Sequence, residues 1–281
     1  MKNYKELEDK THFHLRGLNV EVYDQRFEEG PDPLMAGDIE FYIDYATHYG
    51  AMKGKQILEL GSGTGRISWE MARYGVDVLG LDYSDTMNEI AEEKRASFPE
   101  ETQKHAAFIK GNMADFDLDK RFPLIIIPCR SFQCLLTVEE QISCLEKAHD
   151  HLEDGGRFIL NMFDPRFDPH TSTDWKKDFS RVPTVTHPQT GNRVNIQFLE
   201  RRTNFYEQLI KEYWRYTEVD SAGEVLREEE SELAMRWVTR QEMRHLFALT
   251  GFEVVGEYSD FFKSGPVYGK EQVWVVKKIS K

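Results

Sequence analysis

Eleven residues, Ile57-Leu58-Glu59-Leu60-Gly61-Ser62-Gly63-Thr64-Gly65-Arg66-Ile67, carry the densest chemical signal in the chain. A short apolar strand ends in an acid and then turns through three alternate glycines into a helix. Glycines at that spacing let a backbone turn sharply and approach a ligand closely. The helix start that follows offers unpaired N–H groups and a positive dipole end. Glu59 can accept hydrogen bonds from a ligand's ammonium or hydroxyl groups. The combination points to a nucleoside-containing cofactor.

Further polar residues fall where strands should end: Asp82, Asn112 and Arg130. To bring them together the chain needs a parallel sheet, because ligands of such sheets lie beyond the carboxyl ends of the strands. The pattern supplies one. Gln56–Leu60, Val76–Leu81, Ala107–Lys110, Phe122–Pro128 and Arg157–Phe163 read as strands, with helices between them. Ser84 caps one helix, and Thr137-Val138-Glu139-Glu140 is a capping box that opens another, ended by Asp154-Gly155-Gly156. Asp38–Tyr49 reads as an amphipathic helix ahead of the first strand. The fold class is α/β, a doubly wound Rossmann-like sheet with helices on both faces.

After Phe163 the rhythm changes. Val194–Arg201, Phe205–Val219 and Val225–Val238 alternate with period two and are rich in aromatic and β-branched residues. They predict an antiparallel β insertion spanning residues 166–238, with Ser221-Ala222-Gly223 as a turn. Thr239-Arg240-Gln241-Glu242 then opens a helix that Gly251 ends, and Phe252–Gly256 and Gln272–Lys277 close the chain as strands. The cofactor-binding core is expected over 38–165 and 239–281. The polar segment 1–37, interrupted by Tyr23 and Phe27, is expected to fold over the site.

Composition narrows the partners. The 281 residues carry 36 basic and 49 acidic side chains, a formal charge of −13, which argues against nucleic acid as a partner. Cys129, Cys134 and Cys144 form neither a metal pattern nor an even disulfide set, and fit a reducing cytoplasm. No apolar run is long enough to span a bilayer, and no metal cluster stands out. His149 and His151 read as surface or core residues, and Glu228-Glu229-Glu230 as a solvated face. The aromatic residues Phe205, Tyr206, Tyr213, Trp214, Tyr216 and Trp237 serve either the insertion's own core or a substrate pocket.

Two cofactor classes compete at the glycine turn. A dinucleotide needs Gly-x-Gly-x-x-Gly to seat a pyrophosphate. This turn is one residue shorter, and the carboxylate of Glu59 would repel a pyrophosphate. It suits a ligand with a cationic amino-acid end, such as S-adenosyl-L-methionine.

The stretch from Ile57 to Pro165 resembles the class I S-adenosylmethionine-dependent methyltransferases. The likeness rests on residues 57–66, on Val-Leu-Gly-Leu-Asp-Tyr-Ser (78–84), on Lys-Gly-Asn-Met (110–113) and on Leu-Glu-Asp-Gly-Gly-Arg-Phe (152–158). Bacterial small-molecule members with a β-rich insertion after the fifth strand are the nearest in pattern. The resemblance implies a seven-stranded sheet with its last strand antiparallel. It implies that Glu59 and the Gly61, Ser62, Gly63 and Gly65 backbone hold the methionine end, and that Asp82 takes the ribose hydroxyls. Tyr83, Met87, Asn112 and Met113 would border the adenine, with asparagine at 112 where aspartate is common. Pro128 and Arg130 would face the sulfonium, and Tyr23 would close over the methionine carboxylate. The implied reaction is in-line methyl transfer to nitrogen or oxygen of a small molecule. The residues assign no general base: Arg130, as a substrate anchor, and His170 are the candidates. A homodimer through the insertion is a further expectation. Three alternatives remain open: a non-catalytic regulator that binds the cofactor, a methyltransferase of RNA or protein, and, less well matched, an oxidoreductase.

Overall fold

The computed structural model describes residues 13, 15–30, 32–50, 53–165 and 183–279. Contacts divide the chain into two units: Leu34–Pro165 with Trp237–Lys281, and Met1–Pro33 with Arg166–Arg236.

The larger unit is built on a seven-stranded sheet. Its strands are β1 (Ile57–Leu60), β2 (Val78–Asp82), β3 (Ala106–Lys110), β4 (Phe122–Ile127), β5 (Leu152–Phe163), β10 (Phe252–Tyr258) and β11 (Glu271–Lys278). Their order across the sheet is β10-β11-β5-β4-β1-β2-β3. β1 pairs in parallel with both β2 and β4, while β11 is antiparallel to β5 and to β10. The expected single reversed strand is thus β11. The central strands β1 and β4 are buried at every position, which accounts for their unbroken apolar sequence in a sheet covered on both faces.

Helices α3 (Asp38–Tyr49), α4 (Arg66–Arg73), α5 (Asp85–Glu93), α7 (Val138–His151) and α8 (Arg240–Leu249) belong to this unit, with a single turn, α6 (Glu100–Gln103), before β3. The Thr137–Glu140 capping box is present, each partner bonding the other's backbone N–H. Inside one main cluster, Phe122, Phe158, Phe247 and Trp274 are nearly or fully buried. β5 starts at Leu152, ahead of the expected Arg157. Gly156 makes this possible, because a Cβ there would lie 2.8 Å from the Pro123 carbonyl oxygen. The two backbones therefore meet before the regular register begins.

The smaller unit is an antiparallel sheet ordered β6-β7-β8-β9, with β6 (Thr184–Thr186), β7 (Arg193–Asn204), β8 (Leu209–Val219) and β9 (Val225–Arg236). The turn at Ser221-Ala222-Gly223 is closed by Asp220, whose Oδ1 accepts the Ala222 and Glu224 N–H groups. The predicted strand start at Phe205 is four residues early. Asn204 Oδ1 accepts the N–H groups of Tyr206 and Glu207 and folds that segment into a turn. β6 is too short for a periodic signal.

Two short helices, α1 (Leu18–Glu21) and α2 (Gln25–Glu28), are part of this same unit. Leu18 and Val22 pack with Val185, Val194, Ile196 and Tyr216 into one core. Alternation along β9 explains the attachment. Glu228 and Glu230 are exposed and face Arg215, as a solvated face requires. Glu229 points the other way and accepts the Leu18 N–H at 2.7 Å. A carboxylate there satisfies a donor at the start of α1.

Candidate cofactor site

β1, β2, β3 and β4 deliver their carboxyl ends to one edge of the large unit. The strand order reverses between β1 and β4, since β1 leads to β2 and β3 on one side and β4 leads to β5 on the other. Crevices form at such reversals.

The glycine turn is pinned to β2. The N–H groups of Gly61 and Ser62 both donate to the Leu81 carbonyl, at 2.8 and 3.2 Å. Asp82 Oδ2 accepts the Gly63 N–H at 2.7 Å, and Oδ1 accepts the Ser84 N–H at 2.8 Å. Asp82 thus braces two turns at once, and each oxygen keeps further lone-pair capacity. Burial raises its pKa, against the pull of these two backbone donors.

Gly61, Gly63 and Gly65 have φ of 69°, 54° and 73°, a region costing an L-residue roughly 1–2 kcal/mol. Their surroundings differ. A Cβ at Gly61 would sit 2.7 Å from Ser131 Cβ, and one at Gly65 2.7 Å from Phe108 Cζ. A Cβ at Gly63 would meet nothing within 4 Å. Gly61 and Gly65 are needed for packing, while Gly63 leaves an open flank beside Asp82. The Ser62 side chain lies against Gly80 of β2, its Oγ 2.8 Å from where a Cβ would be.

Glu59 is 1 % exposed, and its Oε2 accepts from the Ser68 hydroxyl. Loss of water pushes its carboxyl up to about 8; the nearby Asp82 adds to the rise, while Ser68 and Arg66 oppose it.

Around this centre stand the other expected residues. Tyr83 is half exposed and Met87 is buried, its N–H on the capping Ser84 hydroxyl. Asn112 Oδ1 accepts the Ala114 N–H at 2.9 Å, so its carbonyl already closes a local turn. Met113 Cε lies 3.9 Å from where a Cβ on Gly61 would be. After β4, Pro128 leads into Cys129 and Arg130, with φ of 55° and 66°. Ser131 Oγ donates to the Pro128 carbonyl at 2.9 Å.

Arg130 makes an ion pair that the sequence did not announce. Its Nε and Nη2 donate to Glu271 Oε1 at 3.0 and 2.5 Å. Glu271 is fully buried; its other oxygen accepts from Asn161, whose Oδ1 accepts from the Tyr42 hydroxyl. Arg66 was equally unforeseen. It pairs with the buried Asp38, and its Nη2 donates to Cys129 Sγ at 2.9 Å. Its place right after the third glycine was the available signal. Glu271, at the start of the antiparallel strand, offered none.

Burial raises the pKa of Cys129 and of Cys144, which keeps both as thiols. His151 Nε2 accepts the Leu118 N–H at 2.9 Å, so its proton sits on Nδ1, toward the Lys147 carbonyl. Tyr23 belongs to the smaller unit, its ring between Phe13 and Phe27 at 5.6 and 5.3 Å. His170 lies outside the described residues. Among the described residues no cluster of His, Cys, Asp or Glu is placed to hold a metal, and no helix is long and apolar enough to cross a membrane.

A doubly wound sheet with a glycine turn and two acids at adjacent strand ends defines a Rossmann-like protein that binds a nucleoside cofactor. Comparison with known proteins narrows the class. Residues 57–156 match the methyltransferase domain family. A cypemycin N-terminal methyltransferase from a Streptomyces species is 24% identical over 248 residues, 84% of this chain and 88% of that protein. The CcbJ methyltransferase of Streptomyces caelestis superposes with a TM-score of 0.71 at 22% identity, covering 96% of this chain and 99% of its own. CalS10 of Micromonospora echinaspora, an amino pentose methyltransferase solved with S-adenosylmethionine bound, gives 0.64 at 21%, covering 95% and 100%. Residues 57–156 therefore carry a methyltransferase domain, and the chain as a whole shares the fold of solved methyltransferases, one of them with S-adenosylmethionine bound. The open flank at Gly63, with Asp82 and Glu59 on either side of it in sequence, fits a ligand that ends in an ammonium at one side and a ribose at the other.

Proposed function

We propose that this enzyme methylates an amine nitrogen of a small molecule. The observation that carries the cofactor's orientation is the Asp82 brace. Its carboxylate fixes the Gly63 N–H and still has lone pairs for the ribose hydroxyls, next to a flank open to backbone approach. In this reading Glu59 and the turn at Gly61, Ser62, Gly63 and Gly65 hold the methionine end. Tyr83, Met87, Asn112 and Met113 border the adenine. Pro128 and Arg130 close the side nearest the transferred methyl.

The cofactor supplies an electrophilic methyl on a sulfonium. The chain's own residues have to bind, orient and exclude water, and alignment alone can contribute roughly 7–11 kcal/mol toward a bimolecular step. An amine needs only to reach the site neutral, which is consistent with a site whose fixed groups are acids and backbone donors rather than a poised base. Nitrogen is favoured over oxygen because one relative named above is an N-terminal methyltransferase, and KedS8 of a Streptoalloteichus species, which superposes with a TM-score of 0.66, is a sugar N-methyltransferase. A cytoplasmic location and a homodimer through the second sheet complete the proposal; light scattering in solution checks the latter.

The test is methyl transfer from labelled cofactor to a panel of small amines and matched alcohols, with calorimetry of S-adenosylmethionine against NAD. Label in the amines supports the reading. Label only in alcohols, or only in RNA or protein, overturns the acceptor. Cofactor binding without turnover on any acceptor would favour a regulatory protein.

A further inference from the structure

Glu59 raises a question of charge. Its carboxyl is 1 % exposed, and the hydrogen bond it receives comes from a neutral hydroxyl, Ser68 on α4. The guanidinium on the same helix, Arg66, is turned to Asp38 and Cys129. From β2 the neighbouring group is another acid, Asp82, whose oxygens are both held by backbone N–H groups. Tyr42 on α3 and Cys129 after β4 also feel Glu59, and both are held neutral by burial. Lys94, in the turn after α5, acts on it only weakly and at a distance. Two acids at adjacent strand ends therefore have unequal support. Asp82 has fixed donors for a charge; Glu59 has been stripped of water and given a single hydroxyl. A buried carboxylate without a cationic partner takes up a proton instead.

We infer that Glu59 holds a proton in the free enzyme and releases it to solvent when the cofactor's α-ammonium arrives, so that cofactor binding is coupled to pH. This rests on the placement of the methionine end at Glu59. The balance is simple. A neutral carboxyl and a cationic amine become a carboxylate–ammonium pair, and one proton leaves. Below the point where Glu59 ionises by itself, affinity rises with pH. The same proton sets a stability slope. A carboxyl that stays protonated in the fold, pushed up to about 8, stabilises the protein fully below the ordinary carboxylate range. That stability fades as pH climbs toward 8.

Calorimetry tests this with S-adenosylhomocysteine, which has the amino-acid end, and 5′-methylthioadenosine, which lacks it. Titrations at pH 7 run in buffers of different ionisation enthalpy. For S-adenosylhomocysteine the expected result is close to one proton released and a dissociation constant that tightens close to tenfold from pH 6 to pH 7. 5′-Methylthioadenosine should bind with no proton exchanged. Glu59→Gln should bind S-adenosylhomocysteine more weakly, with no release and no pH dependence. Its melting temperature should gain on the wild type between pH 5 and pH 8. Binding of S-adenosylhomocysteine without proton release, or equal release by Glu59→Gln, overturns the inference while leaving the cofactor reading intact. No binding of either ligand at any pH overturns both.

Discussion

Two tight turns meet at the β1/β4 crevice and solve one problem differently. The turn after β1 takes its left-handed backbone from Gly61, Gly63 and Gly65. The turn after β4 takes it from Cys129 and Arg130, two residues with side chains. Glycine adopts such angles without help. Cysteine and arginine are held there by the tertiary structure: Arg66 on the Cys129 sulfur, and the buried Glu271 on the Arg130 guanidinium. The first turn is a local property of its sequence. The second is imposed by contacts from distant parts of the chain.

The largest expected effect separates them at Glu271. Glu271→Ala leaves Arg130 and Asn161 without their buried partner and should cost about 3–5 kcal/mol, read by chemical denaturation. A loss below about 1 kcal/mol would mean that the β4 turn holds itself. Next comes Gly65→Ala, which combines a left-handed Cβ with overlap onto Phe108 and should cost about 2–4 kcal/mol. Gly63→Ala meets open space and should cost only about 1 kcal/mol; its damage should appear in cofactor affinity. Equal destabilisation by the two would erase the distinction between packing and ligand-facing glycines. The smallest effect should come from Cys129→Gly. It relieves a strained angle and keeps the Arg130–Glu271 pair, so stability should stay within about 1 kcal/mol of the wild type.

The contrast also explains what the sequence reveals. The glycine turn, Asp82 and the order of the parallel strands are local signals, each written within a few neighbouring residues. α3 keeps its predicted limits, Asp38 and Tyr49, because the amphipathic period of a helix is equally local. Arg130–Glu271 joins residues 141 apart in sequence, and Leu18–Glu229 joins residues 211 apart. No periodicity records such pairings. The segment 1–37 is read from its sequence as folding over the site, and no local signal announces that Leu18 of α1 and Val22 after it share a core with the second sheet. Glu229 looked solvated because its neighbours Glu228 and Glu230 are; the period of the strand turns it inward. Phe205 and Tyr206 extended the β8 pattern by composition, yet the Asn204 side chain bends them into a turn that leaves Tyr206 96 % exposed.

The ribose role of Asp82 is the claim on which the rest depends. Asp82→Ala is a blunt probe, since it strands the N–H groups of Gly63 and Ser84. Asp82→Asn keeps the shape and one acceptor. Calorimetric titration of that variant with S-adenosylhomocysteine, alongside its melting curve, is the direct measurement. The account predicts affinity reduced at least about tenfold, the worth of one charge-assisted hydrogen bond, with a melting temperature above that of Asp82→Ala, because only one of the two backbone N–H groups loses its acceptor. Unchanged affinity in a folded Asp82→Asn would contradict it.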